Sequence, residues 1–360
     1  MPKHPSCCLA FPFALAFAAT ADAATYVVDN TSADAGVSAC NDATANDCSL
    51  AGAVAKANAS TGVVDTIHFN IPTSDPGCHA TQGWCVIAGS GDVTVNEALT
   101  IDGFTQPGAS ANTIAANVGG LNAIHKIQIN PALKFTAPGT VRGLVLNGRG
   151  NNQVYPLKYS NPNATTTEFL IEGNAFGEAL DGGISMVTWA FVLESRQPVR
   201  VGGLQPAQRN LFCKAGAAIV NHTNTGKVKA YGNLFGVNAD GNTMTGCGPA
   251  EAIDGNWPYY DDDYTYFGSN DPNGRNIVDD GSCISDSPND QRNTDAKLGG
   301  FDLNGGIGAT FMPLADSPAL DYAQDCPATD QRGYPRPLGA GCDVGAIERG
   351  ALVFLPLTRR

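Results

Sequence analysis

Short runs of alternating apolar and polar residues recur along the chain and predict β-strands. Residues 25–29 (TYVVD) and 66–71 (TIHFNI) are two such runs near the start. Between them, residues 48–59 carry apolar side chains at helical spacing, and Ser49 can cap that helix. A short helix followed by strands is typical of the N-terminal cap of a solenoid, whose end would otherwise expose strand edges and an open core.

The middle of the chain repeats itself. Residues 169–182 (FLIEGNAFGEALDG) and 228–241 (VKAYGNLFGVNADG) are identical at six of fourteen positions without gaps. Weaker copies occupy residues 141–148 and 209–216. Successive copies lie 23 to 36 residues apart, within the range expected of stacked repeats. The asparagines that we expect to be equivalent are Asn147, Asn174, Asn210 and Asn233.

These repeats predict an all-β fold, the right-handed single-stranded parallel β-helix (a solenoid), with a short N-terminal capping helix. In such a solenoid each coil pairs with the next, and inward Ile, Val, Leu and Phe side chains form one core. Asn and Gly occupy the turns, where stacked Asn side chains can hydrogen-bond along the axis. A β-propeller is the alternative, but its blades of roughly 40–45 residues would repeat more regularly.

The first 23 residues are typical of a secretory signal peptide. Lys3 and His4 precede an apolar run over residues 8–19, and Ala21-Asp22-Ala23 forms an A-x-A cleavage site before Ala24. No later stretch reaches about 18 apolar residues, so we expect no transmembrane segment. The protein is therefore predicted to be exported, either secreted or loosely associated with the cell surface.

Disulfide bridges are the default in exported proteins, and nine of the eleven cysteines lie beyond the predicted signal peptide. Three pairs that are close in sequence predict bridges: Cys40–Cys48, Cys78–Cys85 and Cys326–Cys342. Of the other three cysteines, we expect Cys247 to pair with Cys283, which leaves Cys213 buried in a repeat. Spacing alone does not fix the connectivity of these three.

The charge balance of the chain bears on its partners. The chain has 34 Asp and Glu against 21 Lys and Arg, a net charge of −13. Such an excess of negative charge repels phosphate backbones, so we expect no nucleic-acid partner. It favours solubility or the attraction of cations. We expect a monomer whose partner is an extracellular polysaccharide or a cell-surface component.

Acidic and aromatic residues concentrate between about 247 and 295 and predict a long loop inserted into the helix. Flat aromatic rings stack on sugars and carboxylates bind hydroxyls. The candidate glycan-binding residues are Trp257, Tyr259, Tyr260, Tyr264 and Tyr266. Oxygen-rich extracellular loops also bind calcium. The candidate calcium ligands are Asp261, Asp262, Asp263, Asp279 and Asp280. A solvated loop, or a flap packed over the helix, is the alternative.

The sequence holds no complete catalytic motif of the enzymes built on β-helices. Pectin hydrolases place Asn-Thr-Asp before Asp-Asp, whereas this chain has Asp279-Asp280 before Asn293-Thr294-Asp295 and lacks their Gly-His-Gly and Arg-Ile-Lys. We therefore expect no catalytic residues and no cofactor other than calcium. A polysaccharide lyase or glycoside hydrolase acting on acidic polysaccharide is the alternative function.

Three segments resemble exported bacterial proteins of the CSLREA type, which are right-handed parallel β-helices. Cys40, then Cys48-Ser49-Leu50, then Ala57-Asn58-Ala59 is similar to the family's N-terminal signature, with AGAV at 51–54 where the family has Arg-Glu-Ala-Ile. Residues 101–110 and 141–147 are similar to stretches common in such helices. The C-terminal part resembles the choice-of-anchor-like segment that precedes cell-surface sorting signals. It comprises residues 316–321, 330–337 and 342–348.

These patterns together divide the chain into five parts. They are a signal peptide (1–23), an N-terminal cap (24–85), the parallel β-helix (86–312) with its insertion (about 247–295), a closing segment (313–348) and a tail (349–360). The apolar run in the tail is too short to span a bilayer. We expect a non-catalytic secreted or cell-surface β-helix that binds extracellular glycan or another surface partner.

Overall fold

The computed structural model describes most of the chain from residue 22 to residue 350. The residues in that range that it does not describe are 90, 115–120, 148–154, 164, 184–186, 196, 204, 214, 222–226, 232, 236–250, 255–264, 268–276, 278–288, 290, 292, 303, 306–309, 324–325, 327 and 331. The predicted signal peptide lies almost wholly outside the described residues, as does the tail after residue 350.

Most of the described elements are short strands. The first half contains β1 (Thr25–Val28), α1 (Leu50–Ala57), β2 (Asp65–Phe69), β3 (Cys85–Ile87), β4 (Asp92–Val95), β5 (Leu99–Asp102), β6 (Ile127–Ile129), β7 (Ala132–Phe135), β8 (Gly139–Arg142), β9 (Val145–Leu146), β10 (Leu157–Tyr159) and β11 (Phe169–Glu172). The second half contains β12 (Ala175–Phe176), β13 (Val187–Leu193), β14 (Pro198–Gly202), β15 (Leu211–Phe212), β16 (Ala215–Asn221), β17 (Lys227–Tyr231), β18 (Leu234–Phe235), β19 (Glu251–Asp254), β20 (Thr265–Phe267), β21 (Leu298–Asp302) and β22 (Thr310–Pro313).

Three sheets account for nearly all of these strands. The first sheet has the order β1-β2-β5-β8-β11-β14-β17-β20, the second β4-β7-β10-β13-β16-β19 and the third β3-β6-β9-β12-β15-β18. Their pairings are parallel except that of β20, which runs antiparallel to β17. From β2 to β19 the chain visits the first, third and second sheets in turn. The fold is thus all-β and mostly parallel, an order consistent with a β-helix.

The inward faces of the sheets form one apolar interior. On the first sheet Ile67, Ile101, Val141, Ile171 and Val201 stand in register on successive strands, and all are buried. Aromatic rings fill the space between the first and second sheets. These rings belong to Phe135, Tyr159, Phe169 and Phe191. Burying each such side chain stabilises the fold by roughly 1.5–3 kcal/mol, so this interior is the main favourable contribution.

Buried asparagines form a hydrogen-bonded ladder at the turn between the first and third sheets. The Nδ2 atom of Asn174 donates to the oxygen Oδ1 of Asn210 at 3.3 Å, and Nδ2 of Asn210 donates to Oδ1 of Asn233 at 2.8 Å. Each amide also donates to a carbonyl oxygen of the neighbouring first-sheet strand, at 2.8, 2.8 and 3.0 Å. The predicted equivalence of these three residues is confirmed.

The prediction that Asn147 is a fourth member of the ladder is wrong. Pairing of Val145 with Ala175 places Leu144, not Asn147, at the position of Asn174. The backbone N–H of Leu144 donates to Oδ1 of Asn174 at 3.1 Å, so the ladder ends on a backbone donor. Asn147 is buried three residues further along the chain. Residue type alone mispredicts this position, because the register of β9 with β12 decides which residue lies next to Asn174.

Helix α1 packs over the N-terminal end of the interior. Its N-cap residue is Ser49, whose hydroxyl oxygen accepts a hydrogen bond from the backbone N–H of Gly52 at 2.9 Å. The side chains of Leu50, Val54 and Ala57 are buried in the main apolar cluster. The helical spacing therefore predicted this element correctly. Strands β1 and β2, within the predicted cap, are already the first two strands of the first sheet.

The three predicted short bridges are present: Cys40–Cys48, Cys78–Cys85 and Cys326–Cys342. The expectation that Cys213 stays unpaired is wrong, because Cys213 is disulfide-bonded. The other described cysteines are all paired among themselves, so its partner lies outside the described residues. The predicted Cys247–Cys283 bridge also lies outside them. Among the described residues, no helix has the length and apolar character that crossing a membrane requires.

The closing segment holds a buried network of charged side chains. Arg332 donates to the carboxylate of Asp330 at 2.6 Å, and the Nε atom of Arg336 lies 3.7 Å from a carboxylate oxygen of Glu348. Glu348 also accepts hydrogen bonds from the backbone N–H groups of Leu338 and Asp343, each at 2.9 Å. Buried charges persist only when they are paired in this way. The network therefore accounts for the many Asp, Arg and Glu residues of this segment structurally.

Candidate functional site

The residues predicted to bind glycan or calcium lie almost entirely outside the described residues. This holds for Trp257, Tyr259, Tyr260 and Tyr264, and for Asp261, Asp262, Asp263, Asp279 and Asp280. Tyr266 lies on β20, where its backbone pairs with that of Lys229. Two pieces of the predicted insertion, β19 and β20, are strands of the second and first sheets rather than loop. The described residues include no group of three or more His, Cys, Asp or Glu able to hold a metal ion.

The outward face of the first sheet carries a row of ion pairs. Arg142 donates to the carboxylate of Asp102 at 2.5 Å, and Arg200 donates to that of Glu172 at 2.6 Å. Glu172 also accepts a hydrogen bond from the side-chain amide of Gln208 at 3.0 Å. Both carboxylates are therefore held by guanidinium groups. Such an arrangement stabilises the register of neighbouring strands rather than supplying an acid and a base.

Loops cover the outward face of the third sheet. Leu121 and Leu180, from two loops, pack with Val145, Ala175 and Leu211 of that sheet. This face is therefore already occupied by the chain itself.

His125 belongs to the same covering loops and has a structural role. Its Nε2 atom lies 2.8 Å from the carbonyl oxygen of Gly173, and its ring lies 5.7 Å from that of Phe104. Burial lowers the pKa of His125, and the hydrogen bond to Gly173 opposes this shift only in part. The side chain is therefore neutral near pH 7 and donates its Nε2 proton to the carbonyl.

The second sheet presents aromatic and aliphatic side chains on its outward side. Tyr155 and Trp189 are half-buried and pack against Val192 and Val220, which lie on β13 and β16. Leu157 pairs with Phe191, so β10, which follows Tyr155, lies beside β13, which carries Trp189. Val192 and Val220 are themselves buried. We call Tyr155 and Trp189, together with the two buried valines that they pack against, the aromatic surface.

Two lysines flank the aromatic surface. The Nζ atoms of Lys134 and Lys158 lie 5.7 and 5.6 Å from the centre of the Tyr155 ring, within cation–π range. Lys134 forms an ion pair with Asp92, and Lys158 forms one with Glu194 at 2.5 Å. A hydrogen bond with Asp92 raises the pKa of Lys134, with a smaller contribution from Tyr155. The two positive charges are therefore balanced by two negative ones.

This balance limits the ligands that the aromatic surface can take. A polyanion would have to compete with Asp92 and Glu194 for the lysines, and it would approach a chain of net charge −13. A neutral, hydroxyl-bearing ligand can stack on the rings and hydrogen-bond to the lysines and carboxylates without separating either pair. The chemistry of the surface thus favours a neutral ligand with flat apolar faces.

Sequence reasoning missed the aromatic surface because the detected repeat covers only the first and third sheets. Its two copies contain β11–β12 and β17–β18, whereas Tyr155 and Trp189 lie on or beside strands of the second sheet. The run VTWAFVL at β13 was the available signal. The chain matches no protein-family model, no curated protein and no solved structure.

Proposed function

We propose that the chain is an exported right-handed parallel β-helix of the CSLREA type that binds neutral extracellular glycan without catalysing a reaction on it. The cyclic order of three parallel sheets and the asparagine ladder support the solenoid. The three short disulfides support export, because such bridges persist in oxidising compartments.

The aromatic surface is the observation that carries the proposed glycan binding. Tyr155 and Trp189 pack against the same two valines, Val192 and Val220, and so can present two half-buried rings to one extended ligand. Sugar rings have apolar faces that stack on such aromatics and edges of hydroxyls that bind charged side chains. The two lysine–carboxylate pairs beside the Tyr155 ring supply those polar partners.

The predicted insertion residues can extend this glycan surface. Trp257, Tyr259, Tyr260, Tyr264 and Tyr266 are of the same chemical kind as the described pair. Calcium bound by Asp261, Asp262, Asp263, Asp279 and Asp280 would link the acidic residues of this segment. Removing calcium with a chelator is then expected to weaken binding by the insertion residues and to leave binding by Tyr155 and Trp189 in place.

Replacing Trp189 with alanine is expected to weaken glycan binding about tenfold. Loss of one stacking ring costs on the order of 1.4 kcal/mol, which is a factor of ten in Kd. The measurement is retention of the purified chain on a panel of immobilised neutral and acidic polysaccharides, followed by titration of the best ligand. The same panel is assayed for released reducing or unsaturated sugar ends.

Trp84→Ala is the matched control for Trp189→Ala. Trp84 is a half-buried tryptophan directly before β3, and its Nε1 atom donates to Gln82 at 2.6 Å. Its replacement should leave the Kd unchanged. Equal binding by wild type and Trp189→Ala would contradict the proposed site, and turnover of any polysaccharide would contradict the non-catalytic function. Preferential retention on acidic polymers would contradict the neutral ligand.

A further inference from the structure

One buried carboxylate has an oxygen with no hydrogen-bond partner. Asp65 opens β2 and is only 1% exposed. Its Oδ1 atom accepts a hydrogen bond from the backbone nitrogen of Ala24 at 2.7 Å. Its Oδ2 atom is fully buried and, within the described part of the chain, accepts no hydrogen bond. A buried carboxylate satisfied on one side only is costly, which implies that a stronger donor completes the site.

The donor that reaches Asp65 is the residue where the predicted signal peptide ends. Asp22 and Ala23 are exposed, whereas Ala24 is half-buried. Ala24 is also fixed on its other side, because its carbonyl oxygen accepts from the backbone N–H of Thr66 at 2.8 Å. The Ala23–Ala24 bond therefore joins an exposed segment to a nitrogen that is held against a buried acid.

We propose that cleavage of the Ala23–Ala24 bond turns Ala24 into an N-terminal ammonium that forms a buried ion pair with Asp65. This inference rests on the proposed export of the chain. A peptidase of the signal-peptide class hydrolyses the bond with one water, which adds hydroxyl to the Ala23 carbonyl carbon and hydrogen to the Ala24 nitrogen. That nitrogen takes up one further proton near neutral pH, and the new carboxyl group of Ala23 releases one.

Cleavage would stabilise the fold because it replaces the backbone N–H of Ala24 by an ammonium group as the donor to Asp65. In the uncleaved chain, Ala24 has one N–H and no charge, and it satisfies only Oδ1 of Asp65. The ammonium has three N–H donors and a positive charge at the same place, so it can reach both carboxylate oxygens. Hydrogen bonds between charged groups are about twice as strong as neutral ones. Cleavage of the signal peptide would thereby stabilise the pairing of β1 with β2 at the start of the first sheet.

The cleavage site is tested by expressing the full precursor in a bacterium and measuring the intact mass of the exported protein. The expected mass is that of a chain beginning at Ala24 with its cysteines oxidised. An exported chain beginning at any other residue would overturn the inference while leaving export in place. A precursor that stays uncleaved inside the cell would instead contradict the proposed export.

The ion pair itself is tested by a double-mutant cycle that does not depend on export. Four oxidised chains are compared: one beginning at Ala24, one extended by Ala23, and each of these with Asp65→Asn. Extension should lower Tm by about 5 °C when Asp65 is present and by less than about 1 °C in the Asp65→Asn background.

Acetylation of the Ala24 amine provides a control for charge. It adds no residue and removes the ammonium, so it should lower Tm by as much as the Ala23 extension does. An equal effect of extension in both backgrounds would mean that the added residue acts sterically. That result, or no effect of extension at all, would overturn the inference.

Discussion

Phe169→Ala is expected to lower the free energy of unfolding by about 4 kcal/mol, the usual cost of removing a fully buried phenylalanine. Phe169 is 0% exposed on β11. Its ring centre lies 4.9 Å from that of Phe135, 4.5 Å from that of Tyr159 and 6.2 Å from that of Phe191. The substitution therefore opens a cavity among rings from four strands of two sheets. Urea unfolding followed by circular dichroism measures the loss.

Leu170→Ala is the matched control for this prediction. Leu170 is the next residue on β11, but it points outward and is half-buried. Its replacement should cost less than about 1 kcal/mol, because little buried area is lost. Similar losses for the two variants would contradict the assignment of inward and outward faces on the first sheet.

Asn210→Ala is expected to lower the free energy of unfolding by about 3 kcal/mol. The side chain of Asn210 donates to the carbonyl oxygen of Ile171 and to Oδ1 of Asn233, both at 2.8 Å. Its own Oδ1 accepts from the backbone N–H of Asn174 at 2.8 Å. Alanine removes the acceptor of the Asn174 N–H and the side-chain donor to the carbonyl oxygen of Ile171, whereas Oδ1 of Asn233 keeps the backbone N–H of residue 210 at 3.2 Å. Each buried group that loses its partner costs roughly 1–3 kcal/mol.

An exposed asparagine gives the comparison for Asn210. Asn70 follows β2 and is exposed, so Asn70→Ala should change the unfolding free energy by less than about 0.5 kcal/mol. Hydrogen exchange should also show faster exchange at the backbone N–H of Asn174 in Asn210→Ala. If Asn210→Ala lowered the free energy of unfolding by only about 0.5 kcal/mol, the hydrogen bonds of the ladder would not stabilise the fold as we expect.

Sequence reasoning found those parts of the fold in which local pattern and packing agree. The helix after Ser49 and the Asn positions 174, 210 and 233 were predictable, because one residue type meets the same steric and hydrogen-bonding need in each coil. Asn147 was misplaced, since Leu144 satisfies the same turn through its backbone N–H. The Cys213 bridge was missed because sequence spacing does not determine which cysteines meet in space.

The candidate site was harder to predict than the fold. Side chains on the outward face of a strand do not pack into the shared interior, so their residue types need not recur from coil to coil. Tyr155 and Trp189 therefore belong to no sequence repeat. They meet at Val192 and Val220 because β10, which follows Tyr155, pairs with β13, which carries Trp189. The ammonium site at Asp65 likewise depends on residues 41 positions apart in sequence. Neither the aromatic surface nor the Asp65 site can be predicted until the pairing of the parallel strands is known.

Hydroxyl-radical footprinting with and without a saturating neutral polysaccharide tests the central claim most directly, because radicals oxidise exposed aromatic side chains. Protection of Tyr155 and Trp189, with Trp84 reacting equally in both samples, is the predicted result. Protection of Trp257 and its neighbouring tyrosines in addition would show that the insertion shares the ligand. Unchanged oxidation of Tyr155 and Trp189 at saturation would contradict the assignment of the aromatic surface as the glycan-binding site.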